Sequence, residues 1–315
     1  MNKIDPLSCS MMALVGAIWG LHGPALKLAF AAGLTFPQLV LGEALVGACF
    51  FGAAVILQGG RWPREFSFWL ALIAMGMAGS GVALFLFWSY RLGPVSIGAT
   101  LLFLYVPFTQ IINFVITRRM PVVHELWASV LVVVGAALTT NFLNAASEAN
   151  LRGAPFAVLA ALCFAAYYVL TAPLGQSATP ALRCFVSCGV SSAVMLVVAT
   201  LVGWPVIPTG IAAGHVFLWL VSLGLLWQVI PLFLIMRFVP RTGSGLGSIL
   251  TSTELPVAVL SSCLIFGERL HWSQVLGIVL VLAGIALPHL PRRIARKPDG
   301  ADVARSVALP EEGAS

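Results

Sequence analysis

The feature that most constrains this 315-residue chain is a copy of itself. Shifted by 149 positions without a gap, residues 239–287 fall on 90–138, so that Gly247 meets Gly98, Leu250 meets Leu101, Pro256 meets Pro107, Ile265 meets Ile116 and Gly284 meets Gly135. Ten of these 49 pairs are identical, a number that apolar composition alone could partly imitate. The mid-run proline and the polar breaks that recur in register are harder to obtain by accident. The same offset extends to the first apolar run, where Ala17 meets Ala166, Trp19 meets Tyr168, His22 meets Thr171 and Pro24 meets Pro173. Any fold must therefore accommodate two similar halves.

Composition sets the solvent in which those halves fold. Hydrophobic residues make up 60% and charged residues 9%, with a mean hydropathy of +1.00; soluble domains carry roughly 25% charged residues. The chain reads as an integral membrane protein, for which the relevant unit is a run of about 20 apolar residues crossing ~30 Å of hydrocarbon. Ten runs qualify: 11–31, 36–57, 66–90, 95–116, 125–142, 153–172, 180–202, 213–237, 244–266 and 272–288. The first is too long for a cleaved signal peptide and has no small-residue cleavage site after it, so it is expected to stay as a membrane helix. Each copy holds five runs, and because five is odd the second enters the membrane upside down. The predicted fold is an all-α polytopic membrane protein with ten transmembrane helices in two inverted five-helix repeats, 11–142 and 153–288. A cytoplasmic N-terminus (1–10), a linker (143–152) and a disordered cytoplasmic tail (289–315) complete the expected organisation. Inverted repeats build many secondary transporters, with substrate sites at the repeat interface.

Positive charge orients the bundle, because cytoplasmic loops retain Lys and Arg. With the N-terminus inside, twelve fall on the cytoplasmic side (Lys3, Arg61, Arg64, Arg118, Arg119, Arg237, Arg241 and five in the tail) and three outside (Arg91, Arg152, Arg269). Both termini are thus expected in the cytoplasm of a cell with an inner, plasma-type membrane. The net charge of +6 is accounted for by topology, and no nucleic-acid partner is expected. The six cysteines lie mostly in apolar runs without a Cys-x-x-Cys pair. Cys184 and Cys188 share a helix face but lack partner ligands, so neither a metal nor a cofactor is predicted.

Several stretches carry a family resemblance. Glu254-Leu255-Pro256, followed by Gly267-Glu268-Arg269-Leu270 and the helix from Gln274 to Ala286, is similar to the drug/metabolite transporter superfamily, in particular its ten-helix branch of two EamA domains. The first copy keeps Tyr90-Arg91-Leu92-Gly93-Pro94 and Pro107 but has Arg118-Arg119-Met120 in place of the Gly-Glu-Arg triplet, and Trp19-Gly20 resembles the family's opening helix. The resemblance spans roughly residues 10–288 and implies an inner-membrane carrier, often an exporter of metabolites or drugs. The chain departs from relatives that carry an arginine near the position of Glu43, and from the four-helix exporters that use a first-helix glutamate where this chain has His22.

Ionisable groups inside a bilayer cost on the order of 2.5–3.5 kcal/mol and normally face the protein interior or a wet cavity. The candidates are His22, Lys27, Glu43 and Glu254. Glu254 sits at mid-span with Pro256 just beyond it, so a proline kink would free carbonyls beside a carboxylate able to take a proton or a substrate ammonium; a glutamic acid merely hydrogen-bonded to a neighbouring helix is the bland alternative. Tyr105, its repeat partner, is expected on the opposite wall of the same cavity, with Pro107 as the matching kink. Lys27 and Glu43 lie at similar depths, roughly 6–10 Å below the outer surface at 1.5 Å per residue, and are expected to pair, either structurally or as an outer gate. His22 titrates near neutral pH and is a second proton candidate, although a core histidine bonded to a carbonyl is the commoner case. Gln110, Asn113, Gln228, Thr251 and Thr253 could line a polar path, and Trp19, Tyr168, Tyr167, Phe103, Trp88 and Trp227 could shape a cavity. Interhelical bonding and lipid contact explain these residues equally well.

The reading reached is a secondary active exporter working by alternating access, with proton coupling as the candidate energy source, since the chain contains no Walker motif for ATP. Small-molecule substrate, lipid and protons are the expected partners, and a monomer or homodimer the expected assembly. Uptake or facilitated diffusion is the alternative. A polytopic enzyme would need a catalytic or metal cluster at one depth, and a scaffold or receptor would leave the inverted repeat unexplained.

Overall fold

The structure, a computed structural model, describes residues 5–59, 63, 65–118, 120, 122–140, 142, 151–175, 178–209, 212–267 and 270–289. Among the described residues the architecture is helical, without a strand. In chain order the helices are α1 (Pro6–Ala31), α2 (Phe36–Leu57), α3 (Phe66–Leu92), α4 (Val95–Thr117), α5 (Val123–Thr139), α6 (Ala154–Leu174), α7 (Pro180–Val202), α8 (Ala213–Thr242), α9 (Ser244–Phe266) and α10 (Trp272–Ala286). A single 3-10 turn, Leu151–Gly153, leads into α6. Among the described residues eight helices are long and apolar enough to span a membrane, whereas α5 and α10 have only 17 and 15 residues. Most of the expected linker and tail, and the Glu268-Arg269 pair, lie outside the described residues.

A cap rather than hydropathy decides where α1 begins. Asp5 accepts from the Leu7 amide at 3.2 Å and from the Ser8 hydroxyl at 2.6 Å, so α1 starts at Pro6, five residues ahead of its apolar run and inside the segment expected to be extramembrane. The Ser8 hydrogen bond holds the exposed Asp5 carboxyl below its ordinary value. Thr179 caps α7 in the same way, and Pro6, Pro37 and Pro180 occupy first turns, where a missing N–H costs nothing. At its other end α8 runs past Arg237 and Pro240 to Thr242, beyond the predicted limit of 237.

The two halves interlock. α1 packs on α8 and α9 of the other half, and the repeat-related α6 packs on α3 and α4; α2 pairs with α7, and α5 with α10. At this last contact a Cβ on Gly135 would come within 2.7 Å of the Gly277 carbonyl, and one on Gly284 within 3.0 Å of the Ala128 carbonyl. Gly135 and Gly284 are repeat partners, as are Ala128 and Gly277. The same contact therefore occurs twice, related by a pseudo-twofold between α5 and α10.

Both α4 and α9 are interrupted at the same point. In α4 the pieces Val95–Leu102 and Tyr105–Thr117 flank a turn at Phe103-Leu104, and in α9 the pieces Ser244–Leu250 and Glu254–Phe266 flank the 3-10 turn Thr251–Thr253. Pro107 and Pro256 cannot donate to the carbonyls four residues back, Phe103 and Ser252, and their rings crowd those carbonyls. The break consequently precedes Glu254 and lies directly beside it.

The second pieces end alike. Arg118 (φ 55°) and Gly267 (φ 67°), again 149 apart, both close their helices in the left-handed region. A side chain pays there for a conformation that glycine adopts readily, about 1 kcal/mol. Arg118→Gly should therefore raise thermal stability slightly and Gly267→Arg lower it by a similar amount, both read in detergent unfolding curves; an unchanged Arg118→Gly protein would argue against strain at this cap.

Candidate functional site

The break in α9 makes Glu254 the first residue of a new helical piece, where it borders open space. Glu254 lines three adjoining cavities. The first, about 360 Å³, is bounded by Trp19, His22, Glu43, Tyr90 and Gln228 and reaches Phe36 at the start of α2. The second, about 260 Å³, shares Trp19, His22 and Gln228 and adds Phe164, Tyr167 and Ser187. The third, about 720 Å³, meets Glu254 from another side and is bounded by Phe103, Thr139, Thr140, Ser262, His271 and Gln274. Among the described residues no side chain hydrogen-bonds or ion-pairs with the Glu254 carboxylate.

The other membrane carboxylate is held. Glu43, 7% exposed, has its Oε1 3.0 Å from His22 Nε2. The expected partner, Lys27, instead places its ammonium 4.7 Å from the centroid of the Phe266 ring. His22 also stacks on Trp227 at 5.8 Å with 20° between planes. Trp227 lies in a π-helical stretch of α8, Gly224–Val229. Its indole donates to the Ile18 carbonyl at 2.8 Å, while the Trp19 indole donates to the Trp227 carbonyl at 3.2 Å. These paired bonds bind α1 to α8 beside the cavity, at the kind of widened turn often found at functional sites. A double-mutant cycle of His22→Ala and Glu43→Ala should show coupling of about 0.5–3 kcal/mol in detergent stability, the range for residues in contact; strictly additive losses would dissolve the pair.

Tyr105 and Tyr168 are buried behind the cavity rather than in its wall. Tyr105, 1% exposed, donates to the Ser248 carbonyl at 3.0 Å and lies 3.1 Å from the Thr251 hydroxyl, to which Tyr168 donates at 2.8 Å. The two rings stack at 5.8 Å, and Phe164 sits 4.4 Å from Tyr105 between ring centres. Three helices, α4, α6 and α9, are thereby joined at the broken segment. Further from Glu254, Asn113 and Ser244 exchange hydrogen bonds of 2.9 and 3.1 Å, and Gln110 packs against Gly245. Arg183, 1% exposed, donates from α7 to the carbonyls of Thr171 and Met236. The bundle is thus sealed at the end where α4 finishes and α9 begins, while the cavity extends towards the end where α2 begins and α3 finishes.

Among the residues identified in sequence, the structure brings Glu254, His22, Glu43 and Trp19 to one cavity, sets Tyr105, Tyr168 and Gln110 behind it, and leaves Lys27 outside its lining. Pro107 and Pro256 shape it through the breaks. Phe164, Tyr90, Ser187, Ser191 and His271 were not singled out. Ser187 and Ser191 stand four apart on α7 and form a polar stripe that helical periodicity could have flagged.

The model of the EamA-like transporter family matches residues 7–141 and again 151–288. Comparison with curated proteins finds no significant match. A solved structure described only as the crystal structure of a protein superposes with a TM-score of 0.72 at 14% identity, covering 90% of this chain and 98% of that one. That likeness establishes a shared fold.

Proposed function

Because the chain belongs to the EamA-like transporter family, we propose that it is a secondary active carrier that exports a small organic metabolite or drug by alternating access, coupled to protons at Glu254. The observation that carries this reading is a carboxylate that no described side chain hydrogen-bonds or ion-pairs, set at a helix break, in a cavity open towards one end of the bundle and sealed at the other. An unpaired charge in a water-poor site is costly, and binding a cation or a proton relieves that cost. One site thus acquires two competing occupants, the condition for exchange. Ten membrane crossings, with α5 and α10 as the short pair at the pseudo-twofold, complete the proposed topology.

The charge bias supports cytoplasmic termini in the inner membrane, which makes the present conformation outward-facing. External maleimide labelling of a cysteine placed at position 62 would reverse that orientation. In the inward-facing state the halves rock about α5 and α10. The test is solute flux in proteoliposomes under an imposed pH gradient, screened over amino acids, nucleobases and lipophilic cations. Accumulation that follows the gradient supports the proposal. Equilibration without accumulation points to facilitated diffusion, and absence of any flux removes transport.

A further inference from the structure

The chemistry of the cavity wall narrows the substrate. No lysine or arginine is among the described residues that line the two cavities shared by Trp19 and His22, whereas two glutamates are. Glu43 is occupied by His22, which leaves Glu254 as the one carboxylate that a ligand can neutralise. Trp19, Phe164 and Tyr167 supply aromatic surface around it, suited to a cation that carries apolar bulk. Tyr167 adds an independent signal. It is 4% exposed, its hydroxyl stands beside the Ser187 side chain but forms no hydrogen bond of good geometry with any described residue, and it lines the 260 Å³ cavity with Gln228. A buried orphan hydroxyl costs free energy that a ligand contact would recover.

Resting on the carrier reading, we propose that the substrate is a small organic monocation, a protonated amine on an aromatic or apolar body with one further hydrogen-bonding group, exchanged one-for-one with a proton at Glu254. The charges balance: the ammonium enters as the carboxyl proton leaves for water, one positive charge crosses in each direction, and no net charge moves. Around Glu254 the titratable groups are His22 on α1, Glu43 on α2, Tyr90 on α3, Tyr105 on α4, Tyr167 and Tyr168 on α6, and on the side of the third cavity Cys263 on α9 and His271 before α10. None is a permanent cation, so none substitutes for the ligand. The part of the ligand distant from the ammonium meets Tyr167, Ser187 and Gln228, neutral groups that select a hydroxyl, carbonyl or amide over a second charge.

The experiment uses the full chain in nanodiscs with phenethylamine, its uncharged analogue 2-phenylethanol, its anionic analogue phenylacetate, and tyramine. Calorimetry in buffers of different ionisation enthalpy should show phenethylamine binding with release of up to one proton, and at least about tenfold weaker binding of the alcohol and the acid. Tyramine should bind more tightly than phenethylamine, and Tyr167→Phe should lower the ratio of the two affinities towards one. In vesicles, pH-driven amine uptake should not respond to a potassium diffusion potential. Equal binding of phenylacetate or 2-phenylethanol, binding without proton release, failure of both amines to bind, or uptake that follows the membrane potential would each overturn the inference. Amine binding with proton release but no flux would retain the substrate class and remove the carrier reading instead.

Discussion

In vesicles containing Glu254→Gln, pH-driven accumulation is expected to fall to the level of protein-free vesicles while the protein remains folded and inserted. Glutamine keeps the volume of the side chain but neither ionises nor exchanges a proton. No described partner hydrogen-bonds the carboxylate, so the substitution sacrifices no contact, and removing a charge from a low-dielectric site does not oppose folding. Thermal unfolding in detergent should accordingly match wild type within about 1 kcal/mol, the scale of an ordinary substitution. Equilibrium exchange, normalised to protein in the membrane, separates two roles. If Glu254 holds the proton alone, exchange persists; if it also holds the substrate ammonium, exchange disappears as well. Full gradient-driven transport by this variant would remove Glu254 from the mechanism and leave His22, then Glu43, as the residues to test.

A large loss of stability is expected from substitution at the pseudo-twofold. A Cβ on Gly277 would lie 2.6 Å from the Gly135 carbonyl and 2.8 Å from the Thr139 amide. These are backbone atoms of α5, which cannot rotate aside as a side chain can. Gly277→Leu must push α5 and α10 apart, and overpacking against backbone should cost about 3 kcal/mol or more, the upper end for insertions into packed interiors. By the scaling for domains of 150–250 residues that corresponds to a fall in Tm of roughly 6–12 °C. Gly189→Ala is the control, because nothing lies within 4 Å of its Cβ position and alanine improves helix propensity by up to about 1 kcal/mol. If Gly277→Leu unfolds no earlier than Gly189→Ala, the two halves do not depend on close approach at this contact.

Much of the fold was legible in the sequence because its signals are one-dimensional. Apolar run length is set by the thickness of a bilayer, and the repeat offset aligned Gly135 with Gly284, Pro107 with Pro256 and Arg118 with Gly267, each pair structurally equivalent in the folded chain. The presence of helix breaks beside Tyr105 and Glu254 followed from the prolines. The 3-10 form of the break in α9, at Thr251–Thr253, was decided by tertiary packing.

The candidate site was only half legible. Depth along a span can be counted at 1.5 Å per residue, and that count put Lys27 and Glu43 level with each other. Which groups meet also depends on rotation about the helix axis and on tilt, and these are set by packing against other helices. Tertiary structure turned Glu43 to His22, drew Tyr105 behind the cavity to the Thr251 hydroxyl, and inserted a π-helical turn at Trp227 that no hydropathy period reveals. It also made similar repeats unequal. Asn113 meets Ser244 at the sealed end, while their counterparts Ser262 and Val95 show no such bond at the open end. The duplicated sequence determines two similar halves, and the two ends differ because one bundle cannot close both around a single cavity and still admit a solute.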